Sequence, residues 1–318
     1  MRFGRYSLMG GSQSNEGTSM AEPKTNLLEA LKERVLLADG AMGTQLQERG
    51  LEHGACGELW NKAYPDRVRA IHQAYREAGA DLILTNTFGG NLVRLAGHQC
   101  AQFAYELNYL GAQLAREAAG ASGFVLGDIG PLGEFLEPIG DLTKAQAVEA
   151  FEPQAQAFAD AKTDAILIET MSALDEAECA IEAVRNVAKC PIFLSFTFEV
   201  SPAGIHTMTG ATPEDVARFA TDWGVAVVGT NCGRNLHMQD YVAILERMRN
   251  VTSLPLMVQP NAGAPVLSEG KTVYRETHEK MAEWIDAFVA AGAQIVGGCC
   301  GTTPAHIREF RRVLDQKA

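Results

Sequence analysis

Eight short apolar runs recur along the chain, and a segment of helix length follows each one. The runs are Val35–Asp39, Asp81–Asn86, Phe124–Asp128, Ala165–Glu169, Ile192–Phe196, Val225–Gly229, Leu256–Gln259 and Gln294–Gly297. Near-continuous apolar strands of this kind belong to parallel sheets covered by helices. The segments between them, such as Pro65–Ala78, Ala145–Ala161 and His278–Ala291, carry helix punctuation. Gly79 and Gly292 stand where a helix C-cap takes a left-handed residue. Thr212-Pro213-Glu214-Asp215 opens a helix with proline at its first position. Eight such alternations over about 280 residues predict a single-domain α/β chain folded as a (β/α)8 TIM barrel, a fold of typically ~250 residues. A doubly wound open sheet is the alternative, disfavoured because no glycine-rich dinucleotide fingerprint follows the first run. Residues 27–318 are read as the barrel and residues 1–26 as a flexible N-terminal tail.

Barrel active sites form at the C-terminal ends of the strands. Asp39, Asn86, Asp128, Glu169, Asn231, Cys232, Asn261, Cys299 and Cys300 all stand at or just past such ends and are expected to ring one mouth. Among them Cys299 and Cys300 are adjacent, between Gly297-Gly298 and Gly301. Neighbours in a pleated strand point to opposite faces, so a shared ligand requires the strand to break, which the glycines permit. The plain alternative is that these are small buried thiols, as free cysteines often are. A cysteine pair at one strand end with Cys232 at another favours a metal site instead. Soft thiolates select zinc, and three protein ligands leave a fourth position open, as in catalytic sites.

Zinc with three thiolates carries net negative charge and is a poor electrophile for hydrolysis. It suits the holding of an incoming thiol as thiolate, since a free thiol with pKa ~8.5 is mostly protonated at neutral pH. The predicted chemistry is activation of a substrate thiol for alkyl transfer. Cys56, Cys100, Cys179 and Cys190 lack such a context and are read as core or surface thiols. His206 and His237 lie near strand ends but are not needed as ligands. Asp128 is read as structural, closing the turn from Gly127 to Gly133, while Asn86 and Asn231 either brace loops or serve the site.

Composition narrows the partners. A net charge of −12 argues against nucleic acid and anionic membranes as binding surfaces. Apolar residues make up 47 % of the chain, yet no uncharged apolar run reaches the roughly 18 residues of a membrane span. Seven scattered cysteines do not form a secreted disulfide framework, and a cytoplasmic location is expected.

These motifs resemble those of the homocysteine S-methyltransferase family over residues ~27 to 315. The resemblance is carried by Leu37 to Thr44, Thr85-Asn86-Thr87-Phe88-Gly89, Gly127-Asp128-Ile129-Gly130-Pro131, Glu169-Thr170, Asn231-Cys232-Gly233, Gln259 to Gly263 and, most specifically, Gly297 to Pro304. The Asn-Thr-Phe-Gly segment is similar to the homocysteine-binding module of cobalamin-dependent methionine synthase. The resemblance implies a TIM barrel with Zn2+ on Cys232, Cys299 and Cys300, and the homocysteine sulfur in the fourth position. It implies that Asn261 lies at the metal and that Asp39 and Glu169 hold the substrate ammonium. The turn Gly40-Ala41-Met42-Gly43 would then offer N–H groups to the substrate carboxylate, with Asn86 nearby. The methyl donor would be a methylated corrinoid, such as methylcobalamin, supplied in trans by a separate protein, giving methionine. Betaine or S-methylmethionine is the alternative donor, with Phe88, Tyr274 and Trp60 to receive its cation. A non-catalytic zinc- or thiol-binding redox sensor is the alternative of another class.

Overall fold

The computed structural model describes residues 26–268 and 271–316. The expected tail thus lies outside the described residues except for Asn26, whose side chain caps the first helix, Leu27–Glu33. Eight parallel strands follow: β1 Leu36–Leu37, β2 Leu82–Leu84, β3 Phe124–Ile129, β4 Ala165–Met171, β5 Ile192–Phe196, β6 Val227–Asn231, β7 Leu256–Gln259 and β8 Ala293–Val296. Their order around the sheet is β1-β8-β7-β6-β5-β4-β3-β2, and a parallel bridge from Ala38 to Leu82 closes the ring. The predicted TIM barrel is what the chain forms.

Alternation explains how runs that look uniformly apolar build two cores. Phe124, Leu126, Ala165, Leu167, Phe193, Val227 and Met257 fill the barrel interior. Their neighbours Val125, Ile166, Ile168, Leu194, Val228 and Val258 pack outward against the helices. Gly127 shows the closeness of that outer layer: a Cβ there would sit 2.5 Å from the ring of Phe158 in helix Lys144–Ala161. Leu27, Ala30 and Leu31 of the first helix join the interior cluster, and Gln294 Nε2 donates to Leu31 O at 3.1 Å. This helix plugs the N-terminal end of the barrel.

Strand bounds differ from expectation at the ends. β6 runs to Asn231, two residues past the expected stop, and the long segment before β8 divides into helices His278–Ala282 and Ile285–Ala290. Gly79 and Gly292 take the left-handed φ expected of them, at +103° and +102°. Two hairpins were not foreseen, Glu199–Ser201 with Gly204–His206 and Val266–Ser268 with Lys271–Val273. Both are inserted after strand ends, where loops vary without disturbing the barrel. No helix among the described residues is long and apolar enough to cross a membrane.

At the opposite end of the barrel Asp81 accepts from Leu37 N–H at 2.9 Å, from both terminal nitrogens of Arg34 at 2.9 Å, and from Arg311 Nη2 at 2.6 Å. Burial alone would raise its pKa, but these donors outweigh it and hold the carboxyl below its ordinary value. Asp81→Asn is expected to cost about 2 kcal/mol, less than a fully buried pair because Arg34 is half exposed. The folded pKa is depressed, so the stabilisation is complete above the unfolded value of ~3.9 and is lost as pH falls through the folded value. Urea denaturation should therefore show a difference between wild type and variant at neutral pH that shrinks in acid.

Candidate metal centre and substrate pocket

Backbone geometry at two strand ends gathers the sulfurs. β8 stops at Val296, and the chain then threads between β1 and β7: Gly298 N–H donates to Asp39 O at 3.0 Å and Cys299 N–H to Pro260 O at 2.9 Å. Thr302 Oγ1 donates to Cys299 O at 2.7 Å and accepts from Ala41 N–H at 3.1 Å. A Cβ on Gly40 or Gly298 would fall 2.6 or 2.4 Å from that oxygen. Gly301, at φ +79°, lies so close under the Tyr274 ring that a Cβ would be 2.2 Å from it. These close approaches turn Cys299 and Cys300 to the same side. Cys232 sits at φ +54°, a left-handed conformation that costs a non-glycine residue roughly 1–2 kcal/mol. Its N–H donates to Gln259 O at 3.1 Å and its carbonyl accepts from Tyr241 Oη.

The three sulfurs lie within 4.8 Å of one another, with Cys299 and Cys300 Sγ 3.9 Å apart. Tetrahedral zinc with Zn–S of ~2.3 Å needs sulfurs roughly 3.8 Å apart, so the donor set fits zinc in both chemistry and spacing. Hydrogen bonds donated by the thiols of Cys299 and Cys300, helped by Asn261, push Cys232 down to about 3 against its burial. The same hydrogen bond to Cys232 leads the causes that push Cys300 up to about 12. Asn261 Nδ2 lies 3.6 Å from Cys232 Sγ and 3.3 Å from Gly233 O, and its Oδ1 has no partner. Among the described residues no other group of histidine, cysteine or acidic side chains converges in this way. His206 pairs instead with Ser201 Oγ at 2.6 Å, and His237 caps helix Met238–Arg249.

The cysteines border a cavity of about 470 Å3 that also meets Asp39, Gly40, Ala41, Met42, Asn86, Phe88, Asp128 and Glu169. Asp39 is buried, with Oδ2 accepting from Leu84 N–H at 3.0 Å and Oδ1 unpartnered. Burial, then the charge of Glu169, raises its pKa well above normal. Glu169 is pushed up to about 7 by burial first and the Cys232 charge second. Asn86 lines the cavity, but both hydrogens of its amide are committed, to Gly57 O and Asn61 Oδ1 at 2.9 Å. In the Gly40–Met42 turn the Ala41 N–H is likewise taken by Thr302.

Several features were not foreseen. Asp128 does not close the turn that follows it. Gly130 N–H donates to Phe88 O at 3.0 Å and Leu132 N–H to Glu176 Oε1 at 2.7 Å, while the Asp128 side chain lines the cavity. Cys56, expected in core or on surface, is buried and borders the same cavity. Trp60 is buried against Tyr64 and the Arg67 guanidinium and is not at the mouth. Asn231 links three elements: its Oδ1 accepts from Ser195 Oγ at 2.6 Å and Thr170 N–H at 3.0 Å, and its Nδ2 donates to Thr170 Oγ1 at 2.6 Å and Glu169 Oε2 at 3.2 Å. The inward parity of Phe124, Leu126 and Asp128, and of Ala165, Leu167 and Glu169, was the available signal for the cavity-facing acids.

Known proteins share this architecture. Methionine synthase from Mycobacterium tuberculosis is 37% identical over 307 residues, covering 90% of this chain and 25% of that protein. Methionine synthase from Mycobacterium leprae is 36% identical over the same length. The chain therefore spans about a quarter of these relatives. The crystal structure of the homocysteine methyltransferase MmuM from Escherichia coli in its metallated form matches with a TM-score of 0.74 at 26% identity, covering 90% of this chain and 99% of that one. Homocysteine S-methyltransferase is the family matched by residues 36–314, and with the cysteine triad at the mouth of its barrel the chain belongs to that family.

Proposed function

We propose that the protein binds zinc through Cys232, Cys299 and Cys300 and methylates homocysteine to methionine. The observation that carries this reading is a three-sulfur cluster and a set of buried carboxylates facing one cavity. When bound, zinc supplies a Lewis acid that lets a substrate thiol lose its proton at neutral pH. The protein's own groups do the positioning. Asp39 and Glu169 receive the substrate ammonium, an ion that restores to two desolvated carboxylates the charge partner they lack. The Gly40–Met42 turn faces the substrate carboxylate, with Asn86 holding the wall behind it through its bonds to Gly57 and Asn61. Asn261, hydrogen-bonded to Cys232, occupies the metal side of the pocket until substrate enters. No side chain is required as general base.

The donor on this reading is a methyl group carried by a corrinoid on a separate protein. Support comes from the higher identity to methionine synthases than to MmuM. A cationic donor, betaine or S-methylmethionine, is the second reading, favoured by Phe88 and the acidic lining of the cavity. Protein loaded with cobalt(II) in place of zinc is expected to change its thiolate absorption when homocysteine is added. Unchanged spectra would overturn the acceptor assignment and leave a non-catalytic thiol or zinc role. Turnover with betaine or S-methylmethionine and none with methylcobalamin would overturn the donor assignment alone.

A further inference from the structure

Asp128 is held in place by its backbone, not by its side chain. Its N–H lies 2.9 Å from Thr85 Oγ1, and its carbonyl accepts from Thr87 Oγ1 at 2.8 Å and Gln154 Nε2 at 3.0 Å. The side chain is therefore free to serve the cavity. It is 4 % exposed and lines the cavity from β3, as Glu169 does from β4. Burial, as the larger cause, and the charge of Glu169 raise the Asp128 carboxyl well above its ordinary value. No donor reaches Asp128 Oδ1, and Asp39 Oδ1 is equally without a partner.

Nothing in the wall neutralises this trio. The cavity's one guanidinium among the described residues, Arg94, lies over the Phe88 ring and donates to Pro131 O at 3.3 Å. A buried carboxylate without a counter-ion is costly even where, as at Asp39 and Glu169, one oxygen accepts a hydrogen bond, so three on one wall mark the place of a cation. An ammonium group has three N–H donors directed apart. Asp39, Asp128 and Glu169 offer three acceptors from the ends of β1, β3 and β4 to one cavity.

We infer that Asp128 is the third acceptor for the substrate ammonium and the residue that sharpens selection of an α-amino thiol over the same thiol without its amine. The inference rests on the homocysteine reading above and adds a recognition residue to it. A purely structural Asp128 would instead affect folding and leave ligand preference alone.

The test compares L-homocysteine with 4-mercaptobutanoate, which keeps the thiol and carboxylate and lacks the ammonium, by calorimetric titration of the zinc-loaded protein. Wild type is expected to prefer homocysteine. In Asp128→Asn and Asp128→Ser that preference should fall by ~10-fold or more, the loss of one charge-assisted hydrogen bond. Affinity for 4-mercaptobutanoate should hold, as should zinc content. An unchanged preference in both variants, or equal loss for both ligands, overturns the role of Asp128 and leaves homocysteine binding by wild type intact. Failure of wild type to bind either thiol removes the acceptor reading and this inference with it.

Discussion

Cys299→Ala is expected to lose zinc and methyl transfer together. Structural zinc sites contribute on the order of 10–16 kcal/mol over four ligands, so one thiolate accounts for roughly 3 kcal/mol or more and its loss weakens binding on the order of 10²–10³-fold. The remaining pair, Cys232 and Cys300, cannot enclose the ion. Cys56→Ala provides the control, because Cys56 borders the cavity but stands outside the triad. Metal analysis of the purified variants after dialysis decides the matter. Full zinc retention in Cys299→Ala would undo the ligand assignment, and loss of zinc in Cys56→Ala would point to a different ligand set.

Asn231→Ala should be the most damaging change at the mouth that removes no ligand. Asn231 is completely buried, and its amide satisfies Ser195, Thr170 and Glu169 at once. Thr170 has φ +61°, an outlier for a β-branched residue that persists only when neighbours impose it. Alanine would orphan the Thr170 N–H and release that constraint. Each buried group left unsatisfied costs about 1–3 kcal/mol, so a total near 3 kcal/mol is expected. For a domain of this size that corresponds to a Tm lower by roughly 5–10 °C. Homocysteine affinity should fall as well, because Glu169 loses its brace. Calorimetry on the variant, with a Tm within a degree of wild type, would show that the network does not hold the strand end.

The barrel could be read from the sequence because its evidence is periodic. Eight apolar runs with capping signals between them leave few other folds, and β5 and β7 have the bounds their hydrophobic runs predicted. The sulfur cluster was legible for a different reason: three soft ligands at two strand ends have few other uses. Asp128 reads as a turn residue because a glycine-rich stretch follows it, and local sequence suggests a turn more strongly than it reveals strand parity. The sequence does not divide bracing from function at Asn231, since its partners, Ser195 and Thr170, come from two other strands. Such partners are 36 and 61 residues away in sequence. The committed amide of Asn86 was hidden likewise, its acceptors being Gly57 in a loop and Asn61 in the four-residue helix Trp60–Ala63, too short to show periodicity. The hairpins after β5 and β7 lie outside the strand-and-helix alternation on which the barrel reading rests.

The plug formed by Leu27, Ala30 and Leu31 gives the catalytic cycle a direction. With the floor filled, the barrel is a cup and not a tube, and traffic passes through a single rim. On the function proposed above, an amino acid seated on Asp39 and Glu169 would lie beneath whatever delivers the methyl group. Entry would then be ordered, acceptor first and donor second. The product would depart only after the spent donor had withdrawn, so the lifetime of the donor over the rim would limit how often the cup empties.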